Sequence, residues 1–310
     1  MIIVTPKINP DLDGYACAYA YAEFLNKQGN EAIGICSGEP QREVIFLNRY
    51  FNLEPLAYDK ASLEESSRII LVDASRLQGM PEGTRLEKIG EIIDHRDSPD
   101  VQELFPNADI QIEKVGAAAT LVAERFRNKN IDISRESAIL LYCAIASNTL
   151  NFQANVTTQR DRDICQWLES ITDIPKNLIS EMFTFKSDFT DDTFKKTIIG
   201  DFKEIALGDK LLGVGQLEVV GLNNILGSRE QQIITILEEM KNNKNTDFIF
   251  LSAVDLDNGL NIFITNHEPT KELLGSVLNI SFGDKNMAQK NGVILRKELI
   301  PLFREVATKI

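Results

Sequence analysis

The stretch "KINPDLDGYACAYAYAEFL", Lys7 to Leu25, follows a short apolar run, "MIIV", and decides how the rest of the chain is read. An apolar run, a turn at "NPDLDG" and an amphipathic segment from Tyr15 to Lys27 spell strand, turn and helix. The turn carries Asp11 and Asp13 one residue apart, and Lys7 stands four residues before the first of them. Working outward, "EAIGIC" reads as a strand, "QREVIFLNRYF" as a helix, "RIILVDAS" as a buried strand ending on Asp73, and "EIIDHR" as a strand ending on Asp94. The segments "GAAATLVAERFRNK" and "SRESAILLYCAIASNTL" read as helices. This alternation predicts an α/β fold whose parallel sheet carries helices on both faces.

That order gives the acids a common address. Ligands of open parallel sheets bind outside the carboxyl ends of the strands, so Asp11, Asp13, Asp73, Asp94 and His95 are expected on one rim. Each aspartate alone reads as a helix cap or turn residue. Together they read differently, because clustering several carboxylates without a cation is costly.

The second half changes character after "FTFKSDFTDDTFKK", a polar segment without clear periodicity that reads as an interdomain linker. Beyond it, "KTIIGDFKEIAL", "KLLGVGQLEVV", "TDFIFLSAVDL" and "LNIFIT" read as strands and "SREQQIITILEEMKNNK" as a helix. The expected division is a first domain over 1–187, a linker over 188–195 and a smaller mixed α/β domain over 196–310. The cleft between two such domains is the expected active site.

Composition narrows the chemistry. With 310 residues, 43% of them hydrophobic, the chain is long enough for two domains. No apolar run approaches the ~20 residues of a membrane span, and no basic flank marks a secretory signal, so a soluble cytoplasmic protein without membrane partners is expected. The net charge of -13 argues against nucleic acid as a partner. Only two histidines occur, His95 and His267, so a metal must lean on carboxylates, which favours hard ions such as Mg²⁺ or Mn²⁺. The four cysteines form no CxxC pair and read as buried free thiols. His267 and the acids of "AVDLDNG", Asp255 and Asp257, read as turn residues, and Trp167 as core. No P-loop, GxSxG or HExxH is present.

The motifs together resemble the DHH phosphoesterase superfamily, most closely the manganese-dependent family II inorganic pyrophosphatases and their exopolyphosphatase relatives. "NPDLDG", "LVDAS", "IIDHR", "VGAAATLVAERF" and "AIASNTLNFQANVTTQRDRD" are similar to that family's motifs in order and spacing, and "GDFKEIALG", "GVGQLEVV" and "ILRKELIPLF" resemble the basic segments of its second domain. The resemblance implies a hydrolase in which two dications share an aspartate and activate water against a phosphoanhydride. Carried over by position, Asp11 would serve the first ion and Asp13 the second. Asp73 would bridge them, His95 would ligate the second, and Asp94 would orient His95. Lys203, Arg296 and Lys297 match phosphate-binding positions. Pairing of the first domain through an edge strand would give a homodimer.

Three positions depart from that pattern. Lys7 stands where the family has a ligating histidine, Asn148 where it has a ligating aspartate, and Arg96 where it has the second signature histidine. Asp11, Asp13 and Asp73 with Lys7 sum to a charge that one dication neutralises. An ammonium about 4 Å from a dication is repelled by about 8 kcal/mol at an effective dielectric of 20. The expectation is that Lys7 stands in for the first ion, salt-bridged to Asp11 and Asp73. One Mn²⁺ or Mg²⁺ would then sit among Asp13, Asp73, His95 and the Asn148 carbonyl oxygen. Arg96, a planar fork suited to phosphate, would contact substrate. The expected function is hydrolysis of pyrophosphate or short polyphosphate at an altered metal site. The alternative is an impaired or noncatalytic phosphate-binding homologue.

Overall fold

The computed structural model describes residues 1–96 and 98–307. Its chain divides into two compact units, one comprising 1–152 and 156–185, the other 153–155 and 186–310.

In the first unit five parallel strands form a sheet: β1 (Ile2–Thr5), β2 (Ala32–Gly34), β3 (Arg68–Val72), β4 (Ile89–Asp94) and β5 (Asp109–Ile112), in the order β2-β1-β3-β4-β5. The apolar runs make the sheet's interior. Ile69, Ile70, Leu71 and Val72 of β3 are all fully buried, as a parallel strand covered on both faces must be. Helices α1 (Leu12–Lys27), α2 (Arg42–Phe51), α3 (Lys60–Glu65), α4 (Val101–Leu104), α5 (Ala118–Lys129), α6 (Arg135–Asn148), α7 (Gln159–Ile171) and α8 (Leu178–Ser187) complete this part of the chain. Helices α1, α5 and α6 pack on one another, while Leu63 of α3, Val101 of α4 and Phe105 join Ile3, Ile69, Leu71 and Ile92 in a core against the sheet. The small residues of α1 allow close approach: a Cβ on Gly34 would meet the Ala18 carbonyl oxygen at 2.5 Å.

The strand order fixes where a site can form. The chain leaves β1 toward β2 on one side and returns to β3 on the other, so the loops after β1 and β3 diverge and leave a crevice at their carboxyl ends. Lys7 and Asp11 follow β1, Asp73 follows β3, and Asp94 closes β4.

The second unit holds α9 (Asp191–Gly200), β6 (Lys203–Leu207), β7 (Lys210–Val219), α10 (Leu222–Lys244), β8 (Phe248–Asp255), β9 (Leu260–Ile264), α11 (Glu268–Leu278), β10 (Met287–Asn291) and α12 (Arg296–Ala307). Its sheet runs β10-β9-β8-β7-β6; β7 and β8 are parallel and the other pairs antiparallel. One core lies between the sheet and α9 and α10, the other beneath α11 and α12. No described helix is long and apolar enough to cross a membrane.

Three sequence expectations change here. Residues 191–200 are helix α9, not a linker running into a strand: Thr190 accepts the Thr193 N–H as cap, and Phe194 and Ile198 bury one face. The strand expected from "KTIIGDFKEIAL" begins only at Lys203. Trp167 is half-buried on α7 rather than central to the core.

Candidate metal centre

The crevice is built from the loop after β1 outward. Asp11 is the N-cap of α1: its Oδ1 accepts the Gly14 N–H at 3.1 Å, while its Oδ2 accepts Lys7 Nζ at 2.9 Å. The same ammonium lies 3.3 Å from Asp73 Oδ2. The chain can turn this tightly because residue 14 is glycine; a Cβ there would meet Pro6 Cβ at 2.8 Å. Burial alone would lift the Asp11 carboxyl, yet Lys7 and then Arg96 hold it well below the usual carboxylate range. For Lys7, burial works against the charge, but Asp11 and Asp73 outweigh it and hold the ammonium above its ordinary pKa.

Asp13, two residues on from Asp11, turns from the loop toward α5. The N-cap of that helix, Ala117, has no side-chain acceptor, so its first N–H groups need one from elsewhere. Asp13 supplies it: Oδ2 accepts the Ala118 N–H and Oδ1 the Ala119 N–H, each at 2.8 Å. Asn148, the last residue of α6, donates Nδ2–H to Asp13 Oδ2 at 2.7 Å. The expectation placed the Asn148 carbonyl oxygen toward the site. The amide instead presents its donor end, because the nearest group is an anion. Burial first, then the nearby Asp73 and Asp11, push the Asp13 carboxyl well above its ordinary range despite these bonds.

Asp73 is the hinge of the arrangement. It adopts a left-handed backbone, φ 51°, a conformation that is uncommon outside glycine and clusters at functional sites. Its Oδ2 faces Lys7, and its Oδ1 lies 2.8 Å from Arg96 Nη2 and 3.6 Å from His95 Nε2. Burial raises its pKa to about 7, with Arg96 and Lys7 pulling the other way. Asp94 departs from its expected role. Its Oδ1 accepts the backbone N–H groups of His95 (2.7 Å) and Arg96 (3.2 Å) and the Arg96 Nε–H (3.2 Å), whereas the His95 ring is oriented by Nδ1, 3.1 Å from the Val115 carbonyl oxygen. Asp94 therefore shapes the turn. Burial raises its carboxyl, but Arg96 and these hydrogen bonds hold it below the ordinary range.

The donor set fits one dication. Ligand atoms of Asp13, Asp73 and His95 lie within 4.8 Å of one another. A carbonyl can only accept, so the ring donates from Nδ1, and Nε2 faces the two carboxylates, where an unprotonated Nε2 would offer its lone pair to an ion. Asp73 Oδ1, buried among them, takes no hydrogen bond. These are groups that want a cation between them. The neighbouring position, between Asp11 and Asp73, already holds the Lys7 ammonium.

Arg96 differs from its expectation as an open phosphate contact: its guanidinium pairs with Asp73 and Asp94. In the second unit, Arg296 at the start of α12 forms a fork on Asp201, with Nη1 2.6 Å from Oδ2 and Nη2 3.0 Å from Oδ1, while its N–H is held by Gln216 Oε1. Lys203 opens β6 and Lys297 follows Arg296, both exposed. Asp255 and Asp257 serve a turn: Asp255 accepts the Asp257 and Asn258 N–H groups, and Asp257 accepts that of Gly221. His267 stands at the N-cap position of α11 without a side-chain capping bond, and the four cysteines are free and buried. Sequence reading missed Val115, Ala118 and Ala119, which act through their backbones. The signal was the run of small residues in "VGAAAT", which leaves a helix start without a side-chain cap.

Known proteins resemble this chain over nearly its whole length. The chain matches the DHH family, N-terminal domain, over residues 1–145 and the DHHA2 domain over residues 180–306, and it belongs to this two-domain DHH family. A Clostridium acetobutylicum relative named "Probable manganese-dependent inorganic pyrophosphatase" is 28% identical over 302 residues, covering 97% of this chain and 96% of the relative. The manganese-dependent inorganic pyrophosphatase of Methanothrix thermoacetophila is 29% identical over 257 residues, covering 82% and 81%. A solved Methanococcus jannaschii structure assigned to family II inorganic pyrophosphatase superposes with a TM-score of 0.73 at 25% identity, covering 99% of this chain and 100% of that one.

Proposed function

We propose that this chain is a dication-dependent phosphoanhydride hydrolase acting on inorganic pyrophosphate or short polyphosphate, with one Mn²⁺ or Mg²⁺ per chain and Lys7 in place of a second ion. The names of its relatives support the reaction class. The observation that carries the one-ion form is the Lys7 ammonium at 2.9 Å from Asp11 and 3.3 Å from Asp73. Asp13, Asp73 and His95 would hold the ion. When bound, a dication lowers the pKa of a coordinated water and screens the oxygens of the substrate.

The residues themselves do the rest. Lys7 keeps Asp11 anionic, offsets part of the burial cost of a charged Asp73, and supplies one fixed positive charge beside the ion's position, at half a dication's strength. Val115 holds the His95 ring through Nδ1, which leaves Nε2 to ligate the ion were it bound. Arg296, Lys203 and Lys297 supply charge for phosphate oxygens. One ion would acidify water less than a pair would, so slow turnover is expected.

A second reading rests on Asn148. A neutral amide donating to Asp13 occupies an oxygen that an ion would use, which suits a phosphate-binding homologue without catalysis. A phosphate-release assay with manganese on pyrophosphate, tripolyphosphate and nucleotides separates the two. Release from the first two supports the hydrolase, and silence on every substrate favours the noncatalytic homologue.

A further inference from the structure

Arg96 occupies the oxygen that an ion would need. Its Nη2 donates to the Asp73 backbone carbonyl and lies 2.8 Å from Asp73 Oδ1, and its Nε donates to Asp94 Oδ1 at 3.2 Å. Asp73 Oδ1 is the carboxylate oxygen nearest His95 Nε2, at 3.6 Å, and it takes no hydrogen bond. The guanidinium thus meets that oxygen as a charge, with its hydrogen aimed at the carbonyl. Among the described residues nothing accepts a hydrogen bond from the Nη1 edge, and the side chain is 41% exposed, which leaves the fork a path toward solvent.

A guanidinium and a dication cannot share Asp73 Oδ1, because each requires the same buried negative charge. The guanidinium, once displaced, keeps Asp94 through Nε and presents its two Nη groups, a geometry that matches two oxygens of one phosphate. The reverse also holds. Phosphate on the fork strips Asp73 of its counter-charge and strengthens its demand for an ion, so the two ligands must favour each other.

We propose that Arg96 is an ion-gated phosphate clamp, parked on Asp73 in the ion-free protein and handed over to phosphate when a dication takes Asp73 Oδ1. This rests on the one-ion reading above and adds to it the order in which ligands are bound. Lys7 cannot perform the exchange, since it is held by Asp11 as well as by the other oxygen of Asp73.

Titration calorimetry with MnCl₂ on the full chain and on Arg96→Gln tests the clamp, together with ¹H–¹⁵N spectra of arginine-labelled wild type. Arg96→Gln should bind its one ion about tenfold more tightly than wild type. Saturating Mn²⁺ should raise the affinity of wild type for inorganic phosphate about tenfold, and that enhancement should shrink severalfold in Arg96→Gln. In wild type, the Arg96 Nε–H signal should move when Mg²⁺ alone is added and again when inorganic phosphate follows, a readout that needs no variant to fold. One ion bound equally by both proteins, with the Nε–H signal unmoved by Mg²⁺, overturns the clamp and leaves the one-ion reading standing. No ion bound by either, or two bound by wild type, overturns both.

Discussion

The acidic rim after β1, β3 and β4 and the basic start of α12 meet the same difficulty with opposite signs. In the rim, Asp11, Asp73 and Asp94 receive Lys7 and Arg96 as internal counter-ions; in the second unit, Arg296 receives Asp201. Depth separates them. The Asp73 side chain is 1% exposed, whereas that of Asp201 is 37% exposed. A buried pair controls which protonation states exist, and removing one partner strands a charge. Asp201, partly exposed, is screened by water, so its pair with Arg296 contributes less, and on the proposed function a phosphate would displace it. On the proposed function, substitutions in the rim are expected to change the chemistry and those at the start of α12 the affinity for phosphate.

The sharpest way to break this contrast is to replace the internal cation of the rim. Lys7→His with Asn148→Asp restores two ligating side chains. The double variant should bind a second dication and release phosphate from pyrophosphate about a hundredfold faster than wild type. Calorimetric ion counts and a phosphate-release assay check it, and a variant that still binds one ion would end the claim that Lys7 substitutes for a metal.

Next in size is the pH dependence of the ion-free protein. Asp73 titrates near 7 when folded and in the ordinary carboxylate range when unfolded. Between about pH 4 and 7 the folded state therefore holds a proton that the unfolded state has lost, and stability falls as pH rises through this window. Asp73→Asn removes the titration. In urea melts without added ions, its stability relative to wild type should improve from pH 4 to pH 8 by on the order of 4 kcal/mol. A gap that stays flat would mean that Lys7 and Arg96 already keep Asp73 charged.

Smaller effects are expected in the second unit. Arg296→Ala should weaken inorganic phosphate binding about tenfold, while Asp201→Asn, which frees the fork, should strengthen it about threefold. Calorimetry reads both. A loss of affinity in Asp201→Asn would make Asp201 a support for Arg296 rather than a competitor.

Much of the rim is legible in the sequence, because short apolar strands ending on acids leave few places for those acids to go. "RIILVD" is a buried strand with Asp73 at its carboxyl end, and Lys7, four residues before a helix-capping Asp11, has a carboxylate within reach. The partners of polar atoms are less legible. That Val115, not Asp94, holds the His95 ring depends on how the chain returns from β5 to α5. That Arg96 folds back on Asp73 depends on the left-handed turn at Asp73, for which an L-residue gives no outward sign. Which end of the Asn148 amide faces inward is decided by the carboxylate beside it, which the sequence around residue 148 does not reveal. Helix α9 was hidden by its acids, although Phe194 and Ile198 carry the helical spacing.

The account stands on the ammonium of Lys7 filling one position of an otherwise bimetallic arrangement. Native mass spectrometry of the manganese-loaded wild-type chain counts the ions directly. One tightly held Mn²⁺ per chain is the predicted result, and two would contradict it.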